Sequence, residues 1–282
     1  MEIKKVGLVG CGLMGSGIAE TCGKAGYSVT VTEANEPALK KGQERIIKSL
    51  DRAVEKGKST PEQKQKTLEF LSFTPKLEDL KDSDIVIEAV VENMEEKKRI
   101  WKTLDSLCRP EAIFASNTSS LSIVEMASVT KRASRMLGLH FFNPVPVMKL
   151  VEMVKPITVD EEVFTTTRKF AESLGKTVIV AKDTPGFIVN LLLIPYLLDA
   201  IRALEKGVGT REDIDAGMTL GCGHPMGPLT LTDFIGLDTT YFIAEAMYKE
   251  FKDPRYASPP LLKSMVIAGF HGRKSGKGFY TY

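Results

Sequence analysis

"VGLVGCGLMGSGIAE", Val6 to Glu20, decides the fold. A short apolar run ends in Gly10, Gly12 and Gly15 at G-x-G-x-x-G spacing, and an amphipathic run follows. Such a segment reads as strand, tight turn and helix. The glycines permit the turn, let backbone approach a diphosphate, and let helix and strand touch. The helix start adds unpaired N–H groups and a partial positive charge, which suit phosphate. Gly10, Gly12, Leu13, Met14 and Gly15 are therefore the candidate cofactor loop. The next apolar run, "YSVTVTE", ends in Glu33, about where a ribose-binding acid belongs. A carboxylate accepts hydrogen bonds from a free 2′-hydroxyl and repels a 2′-phosphate, so the expected cofactor is NAD rather than NADP. Two plainer readings stand beside these: a glycine-rich turn without ligand, and an acid placed near a helix N-terminus by the helix dipole.

Outward from this segment, short apolar runs alternate with longer amphipathic ones, the pattern of a parallel sheet covered by helices. Strands are expected at "KKVGLVG", "YSVTVTE", "SDIVIEAV", "AIFASN", "MLGLHFF", "KLVEMV" and "TVIVA". Helices are expected near 13–24, 36–56, 61–71, 94–107 and 161–174. "KDTPGF", Lys182 to Phe187, punctuates the chain, with Pro185 expected as the first residue of a new helix. Beyond it the strand signal ends, and helices are expected near 188–205, 210–220, 227–251 and 258–268. The chain thus reads as an α/β, Rossmann-type dinucleotide-binding domain over 1–184 and a smaller all-helical domain over 185–282.

At 282 residues the chain is long for one core, which agrees with two domains. A formal net charge of +2 gives no reason to expect nucleic acid or a membrane as partner. "FIVNLLLIPYLL", Phe187 to Leu198, is too short to span a bilayer and is interrupted by Asn190 and Pro195. Cys11, Cys22, Cys108 and Cys222 show neither C-x-x-C nor metal-ligand spacing, so no metal site is expected. Reduced thiols and the lack of an export-type N-terminal segment suggest the cytoplasm.

The chain has three histidines, and His140 ends an apolar run in "GLHFFNPVPVMKLVE". A lone His on an apolar face is ordinarily a satisfied core residue. Glu152, twelve residues on and in the next strand, supplies what such a residue lacks. A carboxylate there can accept a hydrogen bond from one ring nitrogen, fix the tautomer and stabilise the imidazolium. "NPVP" provides the bend that sets the two strands side by side. Lys41, Arg45, Lys48, Arg52 and Lys56 recur every three or four residues along one helix. This stripe is either a landing strip for an anionic substrate or a solvated face, since Glu44 and Glu55 lie close by. His224 and His271 read as turn and surface residues.

"EAVVENMEEKKRIW", "ASNTSSLSI", "LHFFNPVPVMKLVE", "KDTPGFIVN", "HPMGPLTLTDFIGLD" and "GRKSGKGFY" occur in the order that marks the 3-hydroxyacyl-CoA dehydrogenases, and the chain resembles that family from Val6 to Tyr280. The resemblance implies NAD-dependent interconversion of short (S)-3-hydroxyacyl-CoA and 3-ketoacyl-CoA thioesters by a homodimer. It places the catalytic base on His140, the acid that orients it on Glu152, and substrate contacts on Ser119 and Asn190. By the same resemblance NAD contacts fall on Glu33, Glu92, Lys97, Ser119, Asn143 and Lys274, and CoA contacts on Ser49 and Lys56. Read from the residues alone, Ser119 also suits a helix N-cap before "LSIVEMA". Asn190 also reads as a buried amide bonded to neighbouring backbone. One departure is Glu33, where the family carries Asp. The longer side chain is expected to swing away more easily and to discriminate less sharply against NADPH. Rival readings are a dehydrogenase of free hydroxy or sugar acids on the same scaffold, and a crystallin-like or NAD-sensing protein without turnover.

Overall fold

The computed structural model describes residues 2–282. The chain divides into two compact units, 1–184 and 185–282. In the first, one eight-stranded sheet runs in the order β3-β2-β1-β4-β5-β6-β7-β8. Its strands are β1 (Lys5–Val9), β2 (Ser28–Thr32), β3 (Leu71–Thr74), β4 (Ile85–Glu88), β5 (Ile113–Ser116), β6 (Met136–Phe141), β7 (Leu150–Lys155) and β8 (Thr177–Lys182). The strand order reverses at β1, which pairs in parallel with both β2 and β4. At such a point the helices diverge to opposite faces and leave a crevice beyond the carboxyl ends of the strands. Residues of β4, β5 and β6 are buried throughout, as expected for strands covered on both faces.

One pairing departs from the parallel pattern. β7 runs antiparallel to β6, with His140 directly opposite Glu152. The link of only eight residues between them is too short for a parallel crossover and suits a direct reversal.

The helices of this unit are α1 (Leu13–Lys24), α2 (Glu36–Glu55), α3 (Pro61–Glu69), α4 (Met94–Leu107), α5 (Ile123–Ala127) and α6 (Glu161–Ser173). Their starts are chemically marked. Asn35 caps α2 by accepting the Ala38 N–H, Thr60 and Gln63 form a reciprocal box on α3, and Asn93 caps α4. Gly42 lets α2 press against the cofactor loop, since a Cβ there would lie 2.2 Å from Cys11 Sγ.

Several expectations change. The run expected as helix to residue 71 ends at Glu69, and Leu71–Thr74 turns into an edge strand beside β2. Ser122, not Ser119, caps α5, and the Asp183 carboxylate also accepts the Ile123 and Val124 N–H groups at 2.9 and 2.7 Å. Pro185 does not open a helix, because Gly186 and Phe187 take positive φ (82° and 49°) and delay α7 to Val189.

The second unit comprises α7 (Val189–Glu205), α8 (Arg211–Ala216), α9 (Pro228–Ile235), α10 (Leu237–Phe251) and α11 (Pro260–Ile267) around its own apolar core. The single helix expected over 227–251 is two, divided at Gly236, whose φ of 104° no helix can carry. Two buried carboxylates organise this unit. Asp215 accepts the Leu229 and Thr230 N–H groups, and Asp233 accepts those of Phe279 and Tyr280, both at 2.9 Å, together with the Tyr282 hydroxyl. The last glycine of "GRKSGKGFY" follows from this: a Cβ at Gly278 would fall 2.0 Å from Asp233 Oδ1.

Asp233→Ala leaves those two amides unsatisfied. It should cost about 2–4 kcal/mol and release the C-terminal segment. Chemical denaturation with hydrogen exchange on residues 277–282 checks this. A loss under about 0.5 kcal/mol would show that the carboxylate is not the anchor.

Candidate functional site

The site at the carboxyl ends of the strands is built from two loops and a strand pair, each gathered by a carboxylate. Gly10 sits at φ 94°, and a Cβ on Gly15 would lie 1.9 Å from the Gly10 carbonyl oxygen, so this turn admits only glycine. A Cβ on Gly12 would meet nothing within 4 Å. That open side is the approach a diphosphate needs. α1 starts at this point without a side-chain cap and without an acid in its first turn, leaving its N–H groups to a ligand. A cavity of about 630 Å³ opens here, lined by Gly10, Gly12, Leu13, Met14 and Glu33 and also by Pro75, Leu77 and Ala89 to Val91. The residues present therefore fit a dinucleotide.

Glu33 is held more firmly than its length suggests. Its Oε2 accepts the Cys11 N–H and its Oε1 the Ala34 N–H, both at 2.8 Å. The swing expected of the longer side chain is restrained at both oxygens. Arg45, from α2, donates to the Cys11 carbonyl oxygen at 3.3 Å and braces the same turn. Burial, reinforced by the Glu33 charge, pushes the Cys11 thiol up to about 12, so it is no nucleophile.

The second loop follows β4. Lys97, buried in α4, donates to Glu88 Oε1 at 2.5 Å and lies 3.2 Å from Glu92 Oε2. Glu92 in turn accepts the Thr118 hydroxyl at 2.5 Å and the Ser119 N–H at 2.9 Å, with the Ser119 hydroxyl at 3.3 Å. Burial opposes ionisation of Glu92, but Lys97, the Thr118 hydroxyl and the Ser119 N–H hold its carboxyl below the usual carboxylate range. Solvent reaches 37% of this side chain, which screens the attraction and limits its size.

The third part is the strand pair itself. Directly opposite residues of an antiparallel pair project to one face, and His140 Nδ1 lies 2.7 Å from Glu152 Oε2. Glu152 is fully buried and His140 nearly so. The Phe142 ring stands 4.5 Å from the imidazole, centroid to centroid. Asn117, just after β5, accepts the Phe141 N–H at 2.9 Å and ties the serine loop to the end of β6.

Ser49 and Asn143 line one cleft of about 230 Å³ with Arg45, Lys48 and Arg52. Lys56 caps the exposed end of α2 and is not part of that lining. In the second unit, Asn190 is buried in the first turn of α7, and Lys274 donates to Asp238 at 2.5 Å. Sequence reasoning missed Glu88, Asn117 and Thr118. The one available signal was an acid ending an otherwise apolar central strand, "IVIE". Among the described residues no cluster of His, Cys, Asp or Glu could hold a metal ion, and no helix is long and apolar enough to cross a membrane.

Residues 5–184 match the model of the 3-hydroxyacyl-CoA dehydrogenase NAD-binding domain, and residues 186–282 that of the C-terminal domain of the same family. The 3-hydroxybutyryl-CoA dehydrogenase of Mycobacterium tuberculosis is 52% identical over 282 residues, covering 99% of each chain. Among solved structures, FadB2 of Mycobacterium tuberculosis superposes with a TM-score of 0.98 at 51% identity over 100% of both chains. (S)-3-hydroxybutyryl-CoA dehydrogenase from Ralstonia eutropha gives 0.95 at 44% identity, over 100% of this chain and 99% of that one.

With Glu33 restrained, NADH should bind at least tenfold more tightly than NADPH. A 2′-phosphate beside this carboxylate loses about 2 kcal/mol after screening. Glu33→Gln should erode the preference, read by fluorescence titration of both nucleotides. Equal affinities in the unaltered protein would remove Glu33 from the ribose site.

Proposed function

The chain belongs to the 3-hydroxyacyl-CoA dehydrogenase family, and on that footing we propose that it interconverts (S)-3-hydroxybutyryl-CoA and acetoacetyl-CoA, with His140 as acid–base and Glu152 as its orienting partner. The observation that carries this reading is the 2.7 Å contact between His140 Nδ1 and a fully buried carboxylate. A core histidine needs no ionised partner. An imidazole that must gain and lose a proton does.

NAD, when bound, takes or returns the hydride at the substrate's reacting carbon. The residues of the chain manage the proton. In oxidation, His140 Nε2 accepts the hydroxyl proton as hydride leaves. Glu152, bonded at Nδ1, fixes the proton on that nitrogen and offsets the imidazolium charge. In reduction the same imidazolium returns its proton to the ketone oxygen. Ser119, oriented by Glu92, is assigned a hydrogen bond to that oxygen. Asn190 and Lys274 carry their substrate and cofactor roles on the family resemblance.

The basic residues Arg45, Lys48 and Arg52 beside Ser49 favour a CoA thioester over a free acid, because they match its phosphates. Homodimer formation belongs to the same reading. Its support is the exposed apolar surface of the second unit, including Leu192, Phe242 and Ile267.

Oxidation of NADH, followed by absorbance, tests this on acetoacetyl-CoA and on free acetoacetate. The thioester should turn over and the free acid should not. His140→Ala should nearly abolish turnover with NADH binding intact, and Glu152→Gln should cut kcat by roughly 10²–10⁴-fold. Near-normal kcat in either folded variant removes the pair from the mechanism, and preference for the free acid removes the thioester.

A further inference from the structure

Glu88, at the carboxyl edge of the sheet, has no exposed surface. It ends β4, in register with Val9 on one side and Ser116 on the other. Its Oε2 accepts the Ser116 hydroxyl at 2.7 Å. Its Oε1 accepts the Val90 N–H at 2.8 Å and the Lys97 ammonium at 2.5 Å. Lys97, 1% exposed, reaches past Glu88 to Glu92. Glu92 holds the Ser119 N–H and hydroxyl. One line of contacts therefore runs from the sheet to the serine loop: Glu88, Lys97, Glu92, Ser119.

Burying a carboxylate and an ammonium together gains little stability over two apolar side chains of the same volume. The pair does something an apolar pair would not. It fixes a cation behind Glu92, and it sets the 89–91 segment that lines the dinucleotide cavity. We propose that Glu88 is a positioning residue of the dehydrogenase site, acting through Lys97 to keep Glu92 an ionised acceptor aimed at Ser119. This rests on the reading of Ser119 as a substrate contact. Glu92 Oε1 accepts the Thr118 hydroxyl and the Ser119 N–H and hydroxyl together, and a neutral acid accepts more weakly than a carboxylate, so protonation would loosen the anchor of the serine. The charged groups facing Glu92 are Lys97 from α4 and, behind it, Glu88 from β4. The loop after β5 faces it with the hydroxyls of Thr118, Ser119 and Ser120.

The sign of the pH effect follows. Burial raises the Glu92 carboxyl, and among the groups that hold it low Lys97 comes ahead of the Thr118 hydroxyl and the Ser119 N–H, so removing the cation shifts it upward. Glu92 would then take up a proton, and loosen its hold on Ser119, at a higher pH than in the unaltered protein. In the reductive direction the acid form of His140 is the working one, so protonating His140 does not itself create this acid limb.

The experiment is reduction of acetoacetyl-CoA by NADH across pH 5–8 in three forms: unaltered, Glu88→Gln with Lys97→Met, and Ser119→Ala. The double variant replaces the buried charges with neutral groups of similar size, so it folds where Glu88→Gln alone leaves Lys97 half-paired. Its kcat should fall about 10–100-fold through misplacement of Ser119. Its acid limb should move to higher pH. A folded double variant with normal kcat and an unmoved acid limb overturns the proposal if Ser119→Ala lowers kcat. If Ser119→Ala leaves kcat unchanged, the reading of Ser119 fails instead, and the proposal with it.

Discussion

β6 and β7 could not deliver their two side chains to one point if the sheet stayed parallel. A parallel neighbour needs a crossover of a dozen residues or more, which would carry Glu152 to another level of the sheet. The eight-residue link forces a direct reversal, and the register then sets His140 against Glu152. The rest of the site is arranged around that pairing. Lys176 holds the turn from the inside, donating to the Val145 and Met148 carbonyls at 2.5 and 2.8 Å. Gly17 of α1 lets the same turn seat close by, because a Cβ there would lie 2.9 Å from the Val145 side chain. The turn between β6 and β7 is thereby seated against the helix that follows the glycine turn.

Carboxylates do most of the organising along this edge of the sheet. Glu33 holds the glycine turn, Glu88 the 89–91 segment, Glu92 the serine loop and Glu152 the imidazole. The first three accept backbone N–H groups that loops would otherwise leave unsatisfied, and a loop without ladder bonds needs such acceptors to hold one conformation. Glu33 braces the glycine turn through both oxygens, accepting the Cys11 and Ala34 N–H groups, and it also lines the cavity. The second unit uses the same device at Asp215 and Asp233.

The fold class was legible because its signals are local. Three glycines between an apolar and an amphipathic run announce strand, turn and helix, and the alternation that follows repeats the theme. His140 and Glu152 were legible as partners only through the bend between them and the family pattern. What escaped the sequence depends on contacts distant in the chain. "LSFT" is too short to read as a strand without β2 beside it. Ser119 reads as the cap before "LSIVEMA", but Ser122 caps α5, and Asp183, some sixty residues on, accompanies it there. Glu88 looks like the end of a strand until Lys97 and Ser116 are seen on either side of it. Gly236 looks like a tolerated residue inside a helix until its φ shows the break.

On the proposed mechanism Glu152 holds one proton on Nδ1 of His140 and leaves Nε2 to exchange the other with substrate. Nitrogen-15 NMR of histidine-labelled protein reads this directly, with His224→Gln and His271→Gln variants to assign the signal. At a pH where the ring is neutral, the account predicts His140 as the Nδ1–H tautomer, with that preference lost in Glu152→Gln. A neutral His140 carrying its proton on Nε2, or a tautomer unaffected by Glu152→Gln, would contradict it.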